Sequence, residues 1–127
     1  MTPLLFVALS LAGGVGAALR LIVDGAIKAR VRGAFPLGTL LINVSGSFIL
    51  GFVTQLATGG SLDDAWRLVI GTGLCGGFTT FSTASFETVR LVQQRRYALA
   101  SVNAVGTLVA AVAAGLLGIV LGRLISG

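Results

Sequence analysis

The chain has 127 residues, 10% of them charged and 55% apolar or aromatic, with 19 glycines. That length allows one domain at most. A soluble domain so small would need far more polar surface, since ~25% of residues are charged in an ordinary globular chain. There is no histidine and a single cysteine, which removes a disulfide framework and any metal site built on imidazoles or several thiolates. Nine lysines and arginines against four acids, scattered between apolar runs, read as membrane topology signals and not as a nucleic-acid face. The composition describes an all-α integral membrane protein.

A transmembrane helix needs ~20 mostly apolar residues, and the charges mark out four such spans, near 3–27, 37–58, 66–94 and 97–124, in a single membrane domain covering 1–127. The first runs uncharged from Leu4 to Leu19 and continues past Arg20 to Ile27. No cation precedes it and no clear small-residue cleavage site follows, so it is expected to stay as a helix and not to be removed as a signal peptide. Arg20 and Asp24 are one helical turn apart and spaced to pair. A connector from Lys28 to Pro36 follows, with Pro36 suited to the first turn of the second span. Mid-way along that span sits Asn43. An amide without a partner in hydrocarbon costs several kcal/mol, so Asn43 must face protein or water, as interhelical glue or as the lining of an ion path. In the second connector, Gly59 to Ala65, Ser61 precedes Asp63, Asp64 and Trp66, which predicts a helix N-terminus with Ser61 as its cap.

The third span is the informative one. Gly71, Gly73, Gly76 and Gly77 are followed by Thr79, Thr80, Ser82 and Thr83. Glycine costs ~1 kcal/mol against alanine in a helix, so this run predicts an interrupted helix at mid-membrane. A broken backbone at that depth is tolerated only inside protein or beside a water-filled cavity, and half-helix ends there offer N–H groups to anions and carbonyls to cations. A glycine- and threonine-rich packing helix, its hydroxyls bonded to its own carbonyls, is the other reading. Gly71, Gly73 and Gly76 also fit a dinucleotide-binding fingerprint, which is rejected because that fingerprint needs a strand–turn–helix unit and an acid ~20 residues on. Cys75 reads as a small packing residue, and Glu87 and Arg90 are spaced for a local pair. Arg95 and Arg96 mark a tight third connector, and Tyr97 suits an interfacial anchor at the start of the fourth span. There Gly106, Ala110, Ala114, Gly118 and Gly122 recur every fourth residue, a smooth stripe for close helix packing within or between subunits. Four helices barely enclose a pore, so transport implies an oligomer. With no acid at mid-depth in spans one, two or four, the hydroxyl and amide groups suit a small, strongly hydrated anion better than an organic cation.

Several strings carry a resemblance. GGVGAALR, FPLGTLLINVSGSF, DAWRL, GTGLCGGFTTFSTASFE and NAVGT together are similar, nearly end to end, to the fluoride channel family (Fluc, also called CrcB). The resemblance implies passive, selective fluoride export across the plasma membrane and so resistance to fluoride toxicity. It also implies a dimer of antiparallel subunits with two pores, phenylalanines projecting into them, and a structural Na⁺ at the centre. Carried onto this chain, backbone carbonyls of Gly76 and Thr79 from each subunit would hold the Na⁺. Asn43, Phe81, Ser82, Thr83 and Thr107 would line the pore, and Arg20 matches the family arginine of span one. The family pattern commonly has a second phenylalanine three residues after the first. Here that position is Ala84, and an aromatic follows as Phe86, a displacement of five that turns it ~140° from the face of Phe81 at about 3.6 residues per turn.

Three rival functions are expected to fail. A proton-coupled multidrug exporter of similar length would want a central carboxylate; a scaffold would carry no flux; and no nucleophile–base pair or metal cluster assembles an enzyme. The partner within the lipid bilayer stays open between a second copy and a different subunit. Lys28, Arg30, Arg32, Arg90, Arg95 and Arg96 flank the first and third connectors, whereas Arg67 and Arg123 lie at the opposite edge. That bias fixes one orientation, both termini outside, and an antiparallel dimer then calls for a partner of opposite bias.

Overall fold

The computed structural model describes residues 2–33 and 35–126, and the described residues outside the turns are helical. The first helix, α1 (Pro3–Arg30), starts on Thr2, whose hydroxyl accepts from the Leu5 N–H at 3.1 Å, and it runs to a C-cap at Val31. It therefore continues about a turn past the charge boundary read at Ile27. Helix α2 (Leu37–Thr58) begins one residue after Pro36, which is its N-cap and not part of its first turn. Both α1 and α2 are long and apolar enough to cross a membrane, as is the continuous helical stretch Tyr97–Ile125. This last stretch comprises α6 (Tyr97–Ser101), a π-helical segment π2 (Val102–Gly106) and α7 (Thr107–Ser126).

The third segment is interrupted, as its glycines and hydroxyls predict. It comprises α3 (Asp64–Arg67), the π-helical π1 (Leu68–Cys75), α4 (Gly76–Phe78) and, after two extended residues, α5 (Phe81–Gln93). The N-cap before α3 is Asp63 and not Ser61. The Ser61 N–H is used instead by the closing turn of α2, bonding the Leu56 carbonyl at 2.9 Å beside Gly60 at φ 82. Asp64 accepts from Arg67 at 2.6 Å, and that hydrogen bond holds the Asp64 carboxyl below the usual carboxylate range.

Two interleaved pairings hold the chain together. The most extensive contact is α2 against α7, and α1 packs on π1 and α4. Both depend on bare backbone. A Cβ on Gly51 would lie 3.0 Å from the Gly115 carbonyl carbon, and one on Gly77 would lie 2.8 Å from that of Gly13. Close backbone approach is how helices gain contact where lipid is as apolar as a leucine. From the small-residue stripe of the last helix, Gly118 sits against Phe48 and Phe52, and Gly122 against Phe52 and Gln55. That part of the stripe serves packing within the subunit.

The two local ion pairs expected from spacing are replaced. Asp24 pairs with Lys28 at 2.9 Å and not with Arg20, whose buried Nε has no hydrogen-bond partner. A Cβ on Gly38 would press against the Asp24 carboxylate, so the bare glycine is what leaves room for that side chain beside the second helix. Glu87 accepts from the Thr39 hydroxyl, and Arg90 sits 5.1 Å from the centroid of the Phe86 ring. A buried threonine one helix away satisfies Glu87 where a flexible arginine on its own helix does not.

Candidate functional site

The interruption lies at Thr79 (φ −80, ψ 156) and Thr80 (φ −151, ψ 113), both extended. Such residues leave a helical ladder without donors and acceptors, and each buried unpaired group costs about 1–3 kcal/mol. Asn43 of α2 meets that demand. Its Nδ2 donates to the Thr80 carbonyl at 3.1 Å, and its Oδ1 accepts from the Thr80 N–H at 2.8 Å. The amide thus takes the place of a neighbouring backbone. Below the break, the Thr79 N–H and hydroxyl both donate to the Cys75 carbonyl, at 2.9 and 2.8 Å. Above it, Thr80 caps α5: its Oγ1 accepts from the Thr83 N–H at 3.1 Å, the expected N-cap arrangement.

These bonds release specific carbonyls. In a continuous helix each N–H bonds the carbonyl four residues back, so the Thr80 N–H belongs to Gly76 and the Thr83 N–H to Thr79. The first goes to Asn43 and the second to the Thr80 hydroxyl. Gly76 and Thr79 therefore lose their helical donors, and Gly76 is exposed with open space at its α-carbon.

A groove of about 530 Å³ runs from the break along α5 toward π2 and α7. Its polar lining includes Asn43, Ser47, Thr80, Ser85, Thr88 and Thr107, and no ionisable side chain lines it. At its far wall Asn103, 1% exposed, ties three elements together. Its Nδ2 donates to the Thr88 hydroxyl at 2.8 Å and the Ala84 carbonyl at 3.3 Å, while its Oδ1 accepts from the Thr107 hydroxyl at 3.3 Å. Sequence reading passed over Asn103 inside the NAVGT string. Its signal was an amide in an otherwise apolar stretch, the same signal that singled out Asn43.

Residues 7–119 match the family described as CrcB-like protein, Camphor Resistance (CrcB). The chain belongs to the CrcB family. Similar proteins include Fluoride-specific ion channel FluC 1 of Leifsonia xyli subsp. xyli, 53% identical over 98% of this chain and 90% of its own length. Fluoride-specific ion channel FluC 3 of Bifidobacterium longum is 47% identical over 92% of this chain and 99% of its own. Fluoride-specific ion channel FluC of Pyrococcus abyssi is 41% identical over 91% and 93%. With three helices long and apolar enough to cross a membrane, this CrcB-family chain is a multi-pass membrane protein and not an enzyme.

The residues singled out in the CrcB-family chain divide into two sets. Asn43, Thr79, Phe81, Ala84 and Thr107 meet at the groove, where Phe81 is 86% exposed at the edge. Ser82, Thr83 and Phe86 do not line it: Thr83 is bonded into the cap of α5, and Phe86 lies outward under Arg90. Phe86 therefore does not stand in for an aromatic at Ala84 on this wall. Gly76 borders the break. Arg20 and Glu87 lie outside the groove, half-buried.

Proposed function

We propose that this chain is one subunit of a fluoride channel that lets the ion leave the cell passively and so protects against fluoride toxicity. One observation carries the reading: a helix break braced by the Asn43 amide opens onto a largely apolar groove that carries hydroxyls and amides but no ionisable group. Fluoride must exchange its water for N–H and O–H donors; the Thr79, Thr80, Thr88 and Thr107 hydroxyls are bonded within the chain, so the donors the lining offers are the Ser47 and Ser85 hydroxyls. The first turn of α5 adds N–H groups of the kind that favour anions. An inside-negative potential drives an anion outward by ~2.3 kcal/mol per 100 mV, so no coupled ion is required. The uncharged groove argues against a proton-driven exporter of organic cations, which needs a carboxylate at the site.

The interrupted third segment serves in this reading as a fourth span, and the pore is completed by a second subunit in antiparallel orientation. Phe81, projecting from the single chain, is positioned to enter a pore shared with that partner. A central Na⁺ fits the residues present. The carbonyls of Gly76 and Thr79 are two that the break releases, and hard cations take unwound backbone carbonyls as ligands. When bound, the ion supplies charge that holds the two breaks against each other. The deciding experiment is reconstitution in liposomes with a fluoride-selective electrode, chloride run in parallel. Fluoride efflux without chloride efflux supports the channel; proton-driven dye uptake without fluoride flux supports an exporter; no flux at all leaves a scaffold.

A further inference from the structure

The first and third connectors, with the helix ends they join, enclose a second groove of about 720 Å³. Four cations line it, Lys28, Arg32, Arg90 and Arg96, against one carboxylate, Glu87. Three of these five charged groups are already engaged: Lys28 with Asp24, Arg90 with the Phe86 ring, and Glu87 with Thr39. Arg32 and Arg96 make no ion pair among the described residues.

Compensation of a helix dipole explains basic residues in the last turn of α1, where Lys28 and Arg30 sit. Arg32 and Arg96 stand just beyond the last turns of α1 and α5, where that effect has fallen off, and Arg96 is also the N-cap residue of α6, where the dipole disfavours a cation. Phe35 lines the same groove, so two uncommitted guanidinium groups stand beside an apolar wall. Planar guanidinium forks match phosphate oxygens in pairs. Basic pockets between membrane helices on the cytoplasmic side hold anionic lipid head groups, and the positive-inside bias favours this end of the molecule in the cytoplasm.

We propose that this groove binds the phosphate of an anionic phospholipid, with Arg32 and Arg96 as its ligands and the glycerol-ester portion against Phe35. The amphipathic lining selects a lipid over a free anion, because inorganic phosphate has nothing to set against the aromatic wall. This binding is separate from ion conduction and does not rest on the channel reading.

The test uses the purified full chain in neutral detergent. Phosphatidylglycerol is titrated in mixed micelles, and retained lipid is counted by native mass spectrometry alongside the unfolding temperature. Phosphatidylglycerol is expected to be retained and to raise the unfolding temperature, whereas phosphatidylcholine and inorganic phosphate at the same concentration do neither. The double variant Arg32→Gln/Arg96→Gln should weaken phosphatidylglycerol binding at least tenfold, and Arg123→Gln, at the opposite end of the molecule, should leave it unchanged. If the double variant fails to fold, Arg32→Gln and Arg96→Gln singly should each weaken binding several-fold. Unchanged binding in these variants, or equal protection by phosphatidylcholine or by inorganic phosphate, overturns the proposal.

Discussion

The Asn43 side chain and the Thr80 backbone exchange two hydrogen bonds, at 2.8 and 3.1 Å, so that one amide satisfies both polar groups of a residue taken out of its helix. Leucine at position 43 removes both. Asn43→Leu should lower stability by about 2 kcal/mol, because two backbone groups lose their partner at a site where Asn43 is 9% exposed. Thermal unfolding in detergent measures this. Fluoride flux should fall with it, and in Phe81→Leu flux should fall while stability does not, since Phe81 is exposed in the single chain. Wild-type flux in both variants would move the ion path elsewhere.

The carbonyl assignment for Na⁺ separates backbone from side chain. The Thr79 hydroxyl is spent on the Cys75 carbonyl, so Thr79→Val should keep the dimer and much of the flux. Apart from its chain neighbours and its own helix backbone, Gly76 has no described atom within 4 Å of an added Cβ. Loss of assembly in Gly76→Val would therefore report a clash with the partner and not with the subunit itself. Cross-linking in membranes reads both; severe loss from Thr79→Val alone would point to side-chain coordination.

Asn103→Leu breaks a junction of Thr88, the Ala84 carbonyl and Thr107. An expected loss of about 1–3 kcal/mol follows from the groups left unpaired. Because Asn103 is 1% exposed but bonded to two residues of α5, flux should drop more than in Thr107→Val, which leaves the Thr88 bond in place. Equal flux in the two variants would show that the junction has no bearing on the groove.

The third connector holds a testable imperfection. Arg95 has φ 59, and the turn closes with the Arg96 N–H on the Leu91 carbonyl at 2.8 Å and the Arg95 N–H on that of Val92 at 3.0 Å. This is the helix-ending turn in which glycine is preferred, and a side chain in the left-handed region costs about 1 kcal/mol. Arg95→Gly should raise stability by roughly that amount, read as a higher unfolding temperature. No change would mean that the arginine recovers the cost through contacts of its own.

Orientation can be measured directly. With Lys28, Arg30, Arg32, Arg90, Arg95 and Arg96 at one end and Arg67 and Arg123 at the other, a reporter fused to the C-terminus of the chain expressed alone should signal from outside the membrane. A fixed orientation would require a partner of opposite bias for an antiparallel dimer. Near-equal signals on both sides would restore a homodimer inserting in both directions.

Much of the fold was legible because glycine, hydroxyl and charge placement each have one strong physical meaning inside an apolar chain. The glycine and threonine run announced the break, and Asn43 announced a partner. What stayed hidden was the identity of partners across helices. Spacing along one helix suggested Arg20 for Asp24 and Arg90 for Glu87, yet Asp24 lies against the bare Gly38 and pairs with Lys28, and Thr39 of the second helix bonds Glu87. The same limit applied to Asn103, whose role depends on Thr88 and Ala84 from another segment.

The interleaving of the two main helix pairings bears on how the molecule is made. Helix α1 waits for residues 73–78 before its glycine face meets its main partner, and α2 waits for α7. No pair of consecutive helices completes either seam, so α1 enters the bilayer before its glycine partner is made, and α2 before α7 is made. Stable helices inserted first and sorted into partners afterwards suit this order. A chain halted before Tyr97 would leave α2 lodged in lipid with its Gly51 face bare, a form for membrane quality-control proteases to recognise.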